Sequence, residues 1–321
     1  MRNRICSSEQ QKGANFTMDH KKFLDTTHKL VHGHEGWMED FISHYHSGDP
    51  IMAMLKWGHN CQLDGVVNMD QVICTVCAPD GTITEVQKEL SDDECIDLTA
   101  DTLEEGFYTF ISEYDNCWAK YGESDDDYKL GDRKAYPDAI EVHNYRQYAT
   151  MVVPVGHFHE NEMYAIPSLE MSILPATGMG YQATHPIQFQ VMVQGKPAAK
   201  LPVTLIHLTD DGTAETPLTT DENGIVTVTP EEAGTYCVIA RATDETADPE
   251  GRYEATSFTA THGFRVAAHH HHHDHDHHHH DHDEHDHEHD HEHEHHHHDH
   301  HDHDHHDHEH HHHDHDHHHH H

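Results

Sequence analysis

The chain has 321 residues, of which 60 are acidic, 18 are Lys or Arg and 49 are His, for a formal charge of −42. That charge argues against nucleic acid and anionic membrane surfaces as partners and favours cations, which an acidic surface concentrates. No apolar run approaches the roughly eighteen residues of a membrane span, so direct membrane insertion is not expected.

Residues 1–31 are polar and lack periodicity, and they read as a disordered or loosely helical lead. Arg2, Arg4, Lys12, Lys21 and Lys22 are not followed by an apolar stretch before His32, so no signal peptide is visible and a cytoplasmic location is one expectation. At His32 the character changes. Trp37 to Tyr45 and Ile51 to Trp57 read as strands split by the turn Ser47-Gly-Asp-Pro50, and Ile51, Ala53, Leu55 and Trp57 alternate onto one face. Val72 to Cys77 is a third strand, closed by Pro79-Asp-Gly81. Phe107 to Ser112 and Tyr148 to Val155 follow, with a long polar loop from Tyr121 to Asp138 between them. The second half is more regular. Ile187 to Val193, Val203 to Leu208, Ile225 to Thr229, Tyr236 to Ala240 and Tyr253 to Val266 are strands separated by Gly- and Asp-containing turns. Short strands at even spacing predict an all-β chain, with two tandem immunoglobulin-like or prealbumin-like β-sandwich domains over residues 32–165 and 166–268.

An internal repeat supports the tandem reading. Asp80-Gly-Thr82 precedes Gly106-Phe-Tyr108, and Asp211-Gly-Thr213 precedes Gly234-Thr-Tyr236. Each half is expected to hold the same hairpin, with Gly-x-Tyr opening its last strand. The seven Cys are scattered and odd in number, which does not suggest a disulfide framework. Cys74-Thr-Val-Cys77 is a lone CxxC in an apolar run and reads as buried strand cysteines rather than a metal or redox pair.

Two stretches carry a family resemblance. One runs from Leu169-Glu-Met-Ser-Ile-Leu-Pro175 through VMVQGKPAAKLPVTLIHLTDDGTAETPLTTDENGIVTVTPEEAGTYCVIAR. The other comprises HGHEGWMED at His32–Asp40 and Lys56-Trp-Gly-His-Asn60. Together they make residues 32–268 similar to the NikM-like nickel-uptake accessory domains. The resemblance implies extracytoplasmic (periplasmic) β-sandwiches linked to nickel or cobalt uptake, with a metal permease as partner. Family members are normally exported, and the visible sequence departs from that pattern in showing no leader.

Three His pairs are spaced i,i+2: His32 with His34, His44 with His46, and His157 with His159. On a strand that spacing puts both rings on one face, roughly 6–7 Å apart, which suits two-point chelation of one ion. Glu160 adds a carboxylate to the third pair. His59 and His207 read as ordinary strand residues, and His185 and His262 receive no assignment. GxSxG, GxxxxGK[ST] and HExxH are absent, so a non-catalytic protein is expected.

Residues 269–321 are thirty-six His with seventeen Asp and Glu and nothing else. Such a tail has no apolar surface to bury and is expected to be disordered when empty. It is far longer than a purification tag and differs from one in its interleaved acids. His269, His270, His271, His272, His273, His275, His277, His282, His285 and His287 represent its ligands. Imidazole suits Ni²⁺, Co²⁺, Zn²⁺ and Cu²⁺, and the carboxylates add ligands or orient rings. The combined expectation is a non-catalytic accessory protein for nickel or cobalt uptake or storage. The alternative is a tandem immunoglobulin-like surface or adhesion module with a zinc or nickel reservoir as its tail.

Overall fold

The computed structural model describes residues 23–40 and 45–268. Among them eighteen strands and three short 3₁₀ turns are found, and no α-helix. The first half supplies β1 (Glu35–Asp40), β2 (Ile51–His59), β3 (Gln62–Leu63), β4 (Val72–Cys77), β5 (Ile83–Glu85), β6 (Gln87–Leu90), β7 (Ile96–Ala100), β8 (Gly106–Lys120), β9 (Tyr128–Leu130) and β10 (Glu141–Val155). The second half supplies β11 (Met171–Pro175), β12 (Ile187–Val193), β13 (Lys196–Pro197), β14 (Pro202–Thr209), β15 (Gly212–Thr219), β16 (Ile225–Val228), β17 (Gly234–Asp244) and β18 (Ala255–Val266).

A nine-stranded sheet ordered β15-β14-β17-β18-β10-β8-β4-β5, with β9 beside β8, spans both halves. Its order is symmetric about the seam between β10 and β18, which is the one parallel pairing between named strands. On either side of that seam lies the repeat read from sequence: β10-β8-β4-β5 on one flank and β18-β17-β14-β15 on the other. The Gly-x-Tyr words open β8 and β17 as expected. Tyr108 Oη donates to Glu104 O at 3.1 Å and Tyr236 Oη to Glu232 O at 2.9 Å. This hydroxyl-to-backbone corner, four residues upstream in both halves, is a feature of immunoglobulin-like sandwiches.

Side-chain alternation divides the seam between two cores. Ala149, Met151, Val153 and Val155 of β10 join Phe110, Leu55 and Leu98 in the core beneath the five-stranded sheet of β1, β2, β3, β6 and β7. Tyr148 and Val152, on the other face, join Phe258, Phe264, Phe189 and Val238 beneath the four-stranded sheet of β11, β12, β13 and β16. The small sheets therefore cover opposite faces of the large one. Fully burying a side chain such as Phe110 or Phe189 stabilises the fold by about 1.5–3 kcal/mol.

β1 extends across the seam. Trp37 packs with Ile206, Cys237 and Ile239 of the second half. Thr261 Oγ1 donates to Gly36 O at 2.8 Å, and Gln147 Nε2 donates to His34 O at 2.8 Å.

The structure departs from the sequence reading in several places. Part of the expected lead is folded: Thr26, Thr27 and Leu30 are buried, and the Trp57 indole donates to Thr26 O at 3.3 Å. The expected polar loop from Tyr121 contains β9, held to the end of β8. β8 and β10 each run fifteen residues, well past their apolar stretches. The strand expected over Trp37–Tyr45 spans Glu35–Asp40 among the described residues, and His44 lies outside them.

Gly263 marks the closest approach of β1 to the seam. A Cβ there would sit 2.2 Å from Met38 O, a backbone atom held in a ladder. Gly263→Ala should therefore cost about 1–3 kcal/mol of overpacking, read as a lower urea midpoint with an unchanged m-value.

Candidate metal centre

Residues 27–32 form a short 3₁₀ helix, which ends at Gly33 with φ 92° and its N–H donated to Leu30 O at 3.0 Å. Glycine takes this left-handed conformation without a Cβ penalty. The chain reverses there, so His32 and His34 do not share a strand face. His32 Nε2 lies 2.9 Å from Asp125 Oδ1, with its ring edge-on to Tyr128. His28, one turn earlier, reaches the other oxygen of the same carboxylate at 3.9 Å.

His34 begins the approach to β1. Its Nε2 lies 2.8 Å from Asp64 Oδ2, and the Lys29 ammonium holds the same oxygen at 2.7 Å. These hydrogen bonds keep the Asp64 carboxyl below the usual range. Asp64 is therefore an anion that can only accept, and the His34 proton sits on Nε2. That leaves a bare lone pair on His34 Nδ1. Nδ1 is the one buried side-chain nitrogen or oxygen among the described residues with no hydrogen-bond partner. Burial lowers the His34 pKa against the pull of Asp64, so the ring is neutral at pH 7.

The β1–β2 ladder pairs Glu35 with Gly58, which puts His59 across from His34 one step beyond its end. The two rings have centroids 5.7 Å apart and are inclined at 39°. His59 Nδ1 lies 3.2 Å from Gly33 O, so its N–H points to that carbonyl, and in the neutral ring the lone pair is on Nε2. The β2–β3 tip carrying His59 is tied down by Asn60 Nδ2 to Glu215 Oε1 at 3.0 Å and Gln62 Nε2 to Thr213 Oγ1 at 3.1 Å.

Behind the pair, Glu35 is fully buried. It accepts from Arg241 Nη2 at 2.6 Å and from the Cys61 N–H at 3.0 Å. Burial pushes its carboxyl up, and Arg241 pulls it back. The same guanidinium nitrogen donates to Gly33 O at 3.1 Å. β17 thus fixes the segment that presents His34.

The remaining sequence-derived candidates are dispersed. His157, His159 and Glu160 lie on an exposed loop between β10 and β11, where the same-face geometry of a strand does not apply. Glu160 Oε1 accepts from Gln182 Nε2 at 3.3 Å. His46 is exposed and follows the isolated bridge Tyr45–Val155 instead of lying within a strand. The tail ligands, His269 onward, lie outside the described residues. Among the described residues no three His, Cys, Asp or Glu side chains converge as a metal cage. Cys74 is buried and Cys77 half-buried on β4; their odd spacing sends them to opposite faces, so they cannot chelate together. His207 stacks on Tyr236 at 4.2 Å, as an ordinary strand residue would.

His262, left unassigned by sequence, is completely buried. Its Nδ1 lies 3.0 Å from Thr150 Oγ1 and its Nε2 3.1 Å from Tyr164 Oη, and Tyr164 is joined in turn to Tyr181 at 2.9 Å. His262, Tyr164 and Tyr181 border a mostly apolar cavity of about 330 Å³ that is also lined by Phe158, Met179 and Phe264. Burial lowers the His262 pKa to about 4.

The buried Glu35 carboxylate and the buried, neutral His262 ring each set the stability. Arg241→Ala leaves Glu35 buried without its counter-charge and should cost about 3–5 kcal/mol in urea unfolding at pH 7. His262 takes up a proton near pH 6.5 when unfolded but near 4 when folded. Stability should therefore be full above pH 6.5 and fall by about 3 kcal/mol between pH 6.5 and 4. His262→Gln should flatten that part of the unfolding profile.

Comparison with known proteins gives one family match and several distant structural likenesses. No curated protein matches the sequence. A DUF4785 family protein from Legionella pneumophila is 13% identical, with 63% of this chain and 50% of that one covered at a TM-score of 0.24. The native conformation of Escherichia coli alpha-2-macroglobulin is 13% identical, with 71% and 14% covered at 0.21. The Escherichia coli adhesin FdeC is 13% identical, with 70% and 63% covered at 0.21. The chain thus spans half or less of the first two, and likenesses at these TM-scores carry no argument about its role. Residues 31–244 match the family described as a domain of unknown function, DUF4198, and the chain belongs to that family.

Proposed function

We propose that this chain is a non-catalytic accessory protein that binds transition-metal ions, nickel or cobalt foremost, and presents them to an uptake permease outside the cytoplasm. The observation that carries this reading is the tract 269–321, thirty-six imidazoles interleaved with seventeen carboxylates. With roughly three or four imidazoles per ion, it has capacity for on the order of ten ions. The sequence resemblance to nickel-uptake accessory domains supplies the choice of metal and the location.

The body provides a fitting root for the tract. Ala267, two residues before His269, donates its N–H to Tyr181 O at 2.9 Å and accepts from the Ala183 N–H at 2.9 Å. Gln182, between those two, bonds Glu160. The His157-Phe-His-Glu160 loop therefore lies beside Ala267, two residues before the tract in sequence.

The test is metal content by mass spectrometry on protein purified without a metal column, comparing the full chain with one ending at Ala268. No buried residue of the four core clusters lies beyond Val266, so the truncation removes none of them. The full chain should hold on the order of ten Ni²⁺. It should release them between about pH 7 and 5, as imidazoles protonate around a pKa near 6.5. Equal metal content in the two forms, or retention unchanged across that pH window, would sink the reading.

A further inference from the structure

We propose that His34 and His59 form an ordered, two-imidazole site for a single divalent transition-metal ion in the folded body, with Asp64 holding His34 in the ligating tautomer. This inference deepens the metal-binding function above and rests on it for the class of ligand. Its geometry, however, is independent of the tail.

The first argument is the orphaned nitrogen. A buried acceptor without a partner has lost its hydrogen bond to water and gained none in return. The Nδ1 lone pair of His34 is in that position while Nε2 is bound to Asp64. A metal ion resolves the deficit, since it takes the lone pair left on the ring nitrogen opposite Asp64. The second argument is the carboxylate. A ligating His commonly donates its other ring N–H to a carboxylate, which fixes the tautomer and raises ligand basicity. Asp64 occupies that place at 2.8 Å and is itself fixed by Lys29.

The third argument is the partner ring. With metal–nitrogen bonds of about 2.0–2.1 Å, and each ring nitrogen about 1.1 Å from its ring centre, two imidazoles on one tetrahedral ion have centroids roughly 5–6 Å apart. The observed separation is 5.7 Å. Both rings are held by backbone whose position is fixed from outside: Gly33 by Arg241, and the His59 tip by β15. His59 is exposed while His34 is nearly closed off, so the site has a solvent side through which an ion enters and on which water or a donated ligand completes the coordination. Two neutral imidazoles suit Co²⁺, Ni²⁺, Zn²⁺ and Cu²⁺ rather than Mg²⁺ or Ca²⁺. The pair His28 and His32 differs in one respect: Asp125 faces both Nε2 atoms, and neither ring holds a buried nitrogen without a hydrogen-bond partner.

The experiment uses a full-length chain in which every His from 269 to 321 is replaced by Asn, titrated with Co²⁺ and followed by visible d–d absorption and calorimetry. One Co²⁺ per chain should bind and be displaced by one Zn²⁺. His34→Gln and His59→Gln should each abolish the absorption band or weaken binding at least tenfold. Asp64→Asn should weaken it by about 10–100-fold, as loss of an outer carboxylate does. His32→Gln should leave it unchanged. Because His59 is exposed, His59→Gln tests the site even if His34→Gln disturbs folding. Absence of any Co²⁺ binding overturns the proposal, as does binding that survives both substitutions or that falls with His32→Gln. The difference in metal content between the full chain and the form ending at Ala268 reports on the tail alone, so the two readings fail separately.

Discussion

The parallel ladder between β10 and β18 is the contact on which the rest of the molecule depends. It joins the two halves into one body, because the strands of each half in the large sheet end at the seam and would otherwise present a long open edge to solvent. Nine residue pairs run from His143–Ala255 to Met151–Gly263. Parallel strands are found with both faces covered, and here each face is covered by the small sheet of a different half. The polar residues caught in the seam are accordingly paired. Thr150 bonds the Thr261 carbonyl and the His262 ring, Thr261 bonds Gly36, and Gln147 bonds the backbone of His34.

The same ladder positions the candidate metal centre. β1 belongs to the first half but lies over the seam, where Gly263 leaves room for its backbone and Trp37 enters a pocket of second-half residues. Arg241, on β17, can then neutralise Glu35 and hold Gly33. A fully buried carboxylate is tolerable only with such a partner, so His34 is anchored by a charge pair that forms only when the two halves are joined.

Much of the fold was legible in the sequence because alternation and turn chemistry are local. Ile187–Val193 and Val72–Cys77 were read to the residue, and the Asp-Gly turns marked the hairpins of both halves. The ends of β8 and β10 were not legible, since their ladders continue through polar residues that pair across strands: Asn144 with Asp115 at 2.7 Å, and Arg146 with the same carboxylate at 3.4 Å. β7 was missed for a related reason. Its apolar residues Ile96, Leu98 and Ala100 alternate over only five positions, directly after an acidic stretch. The candidate site was legible by half. His34 stood out, but it was paired with His32 on the assumption of a continuous strand, which Gly33 breaks. His59 lies 25 residues away and was read as an ordinary strand residue. Only the register of β1 against β2 brings the two together, and register is a property of the assembled sheet rather than of either segment.

On the proposed reading, a tract of His, Asp and Glu and a pair of held rings bind metals on different terms. A tract with many equivalent ligands follows the generic affinity order of imidazole for divalent metals. Two rings held by the fold lose little further freedom on binding, and their spacing favours coordination geometries that match it. The proposal therefore assigns capacity to the tract and discrimination to the ring pair.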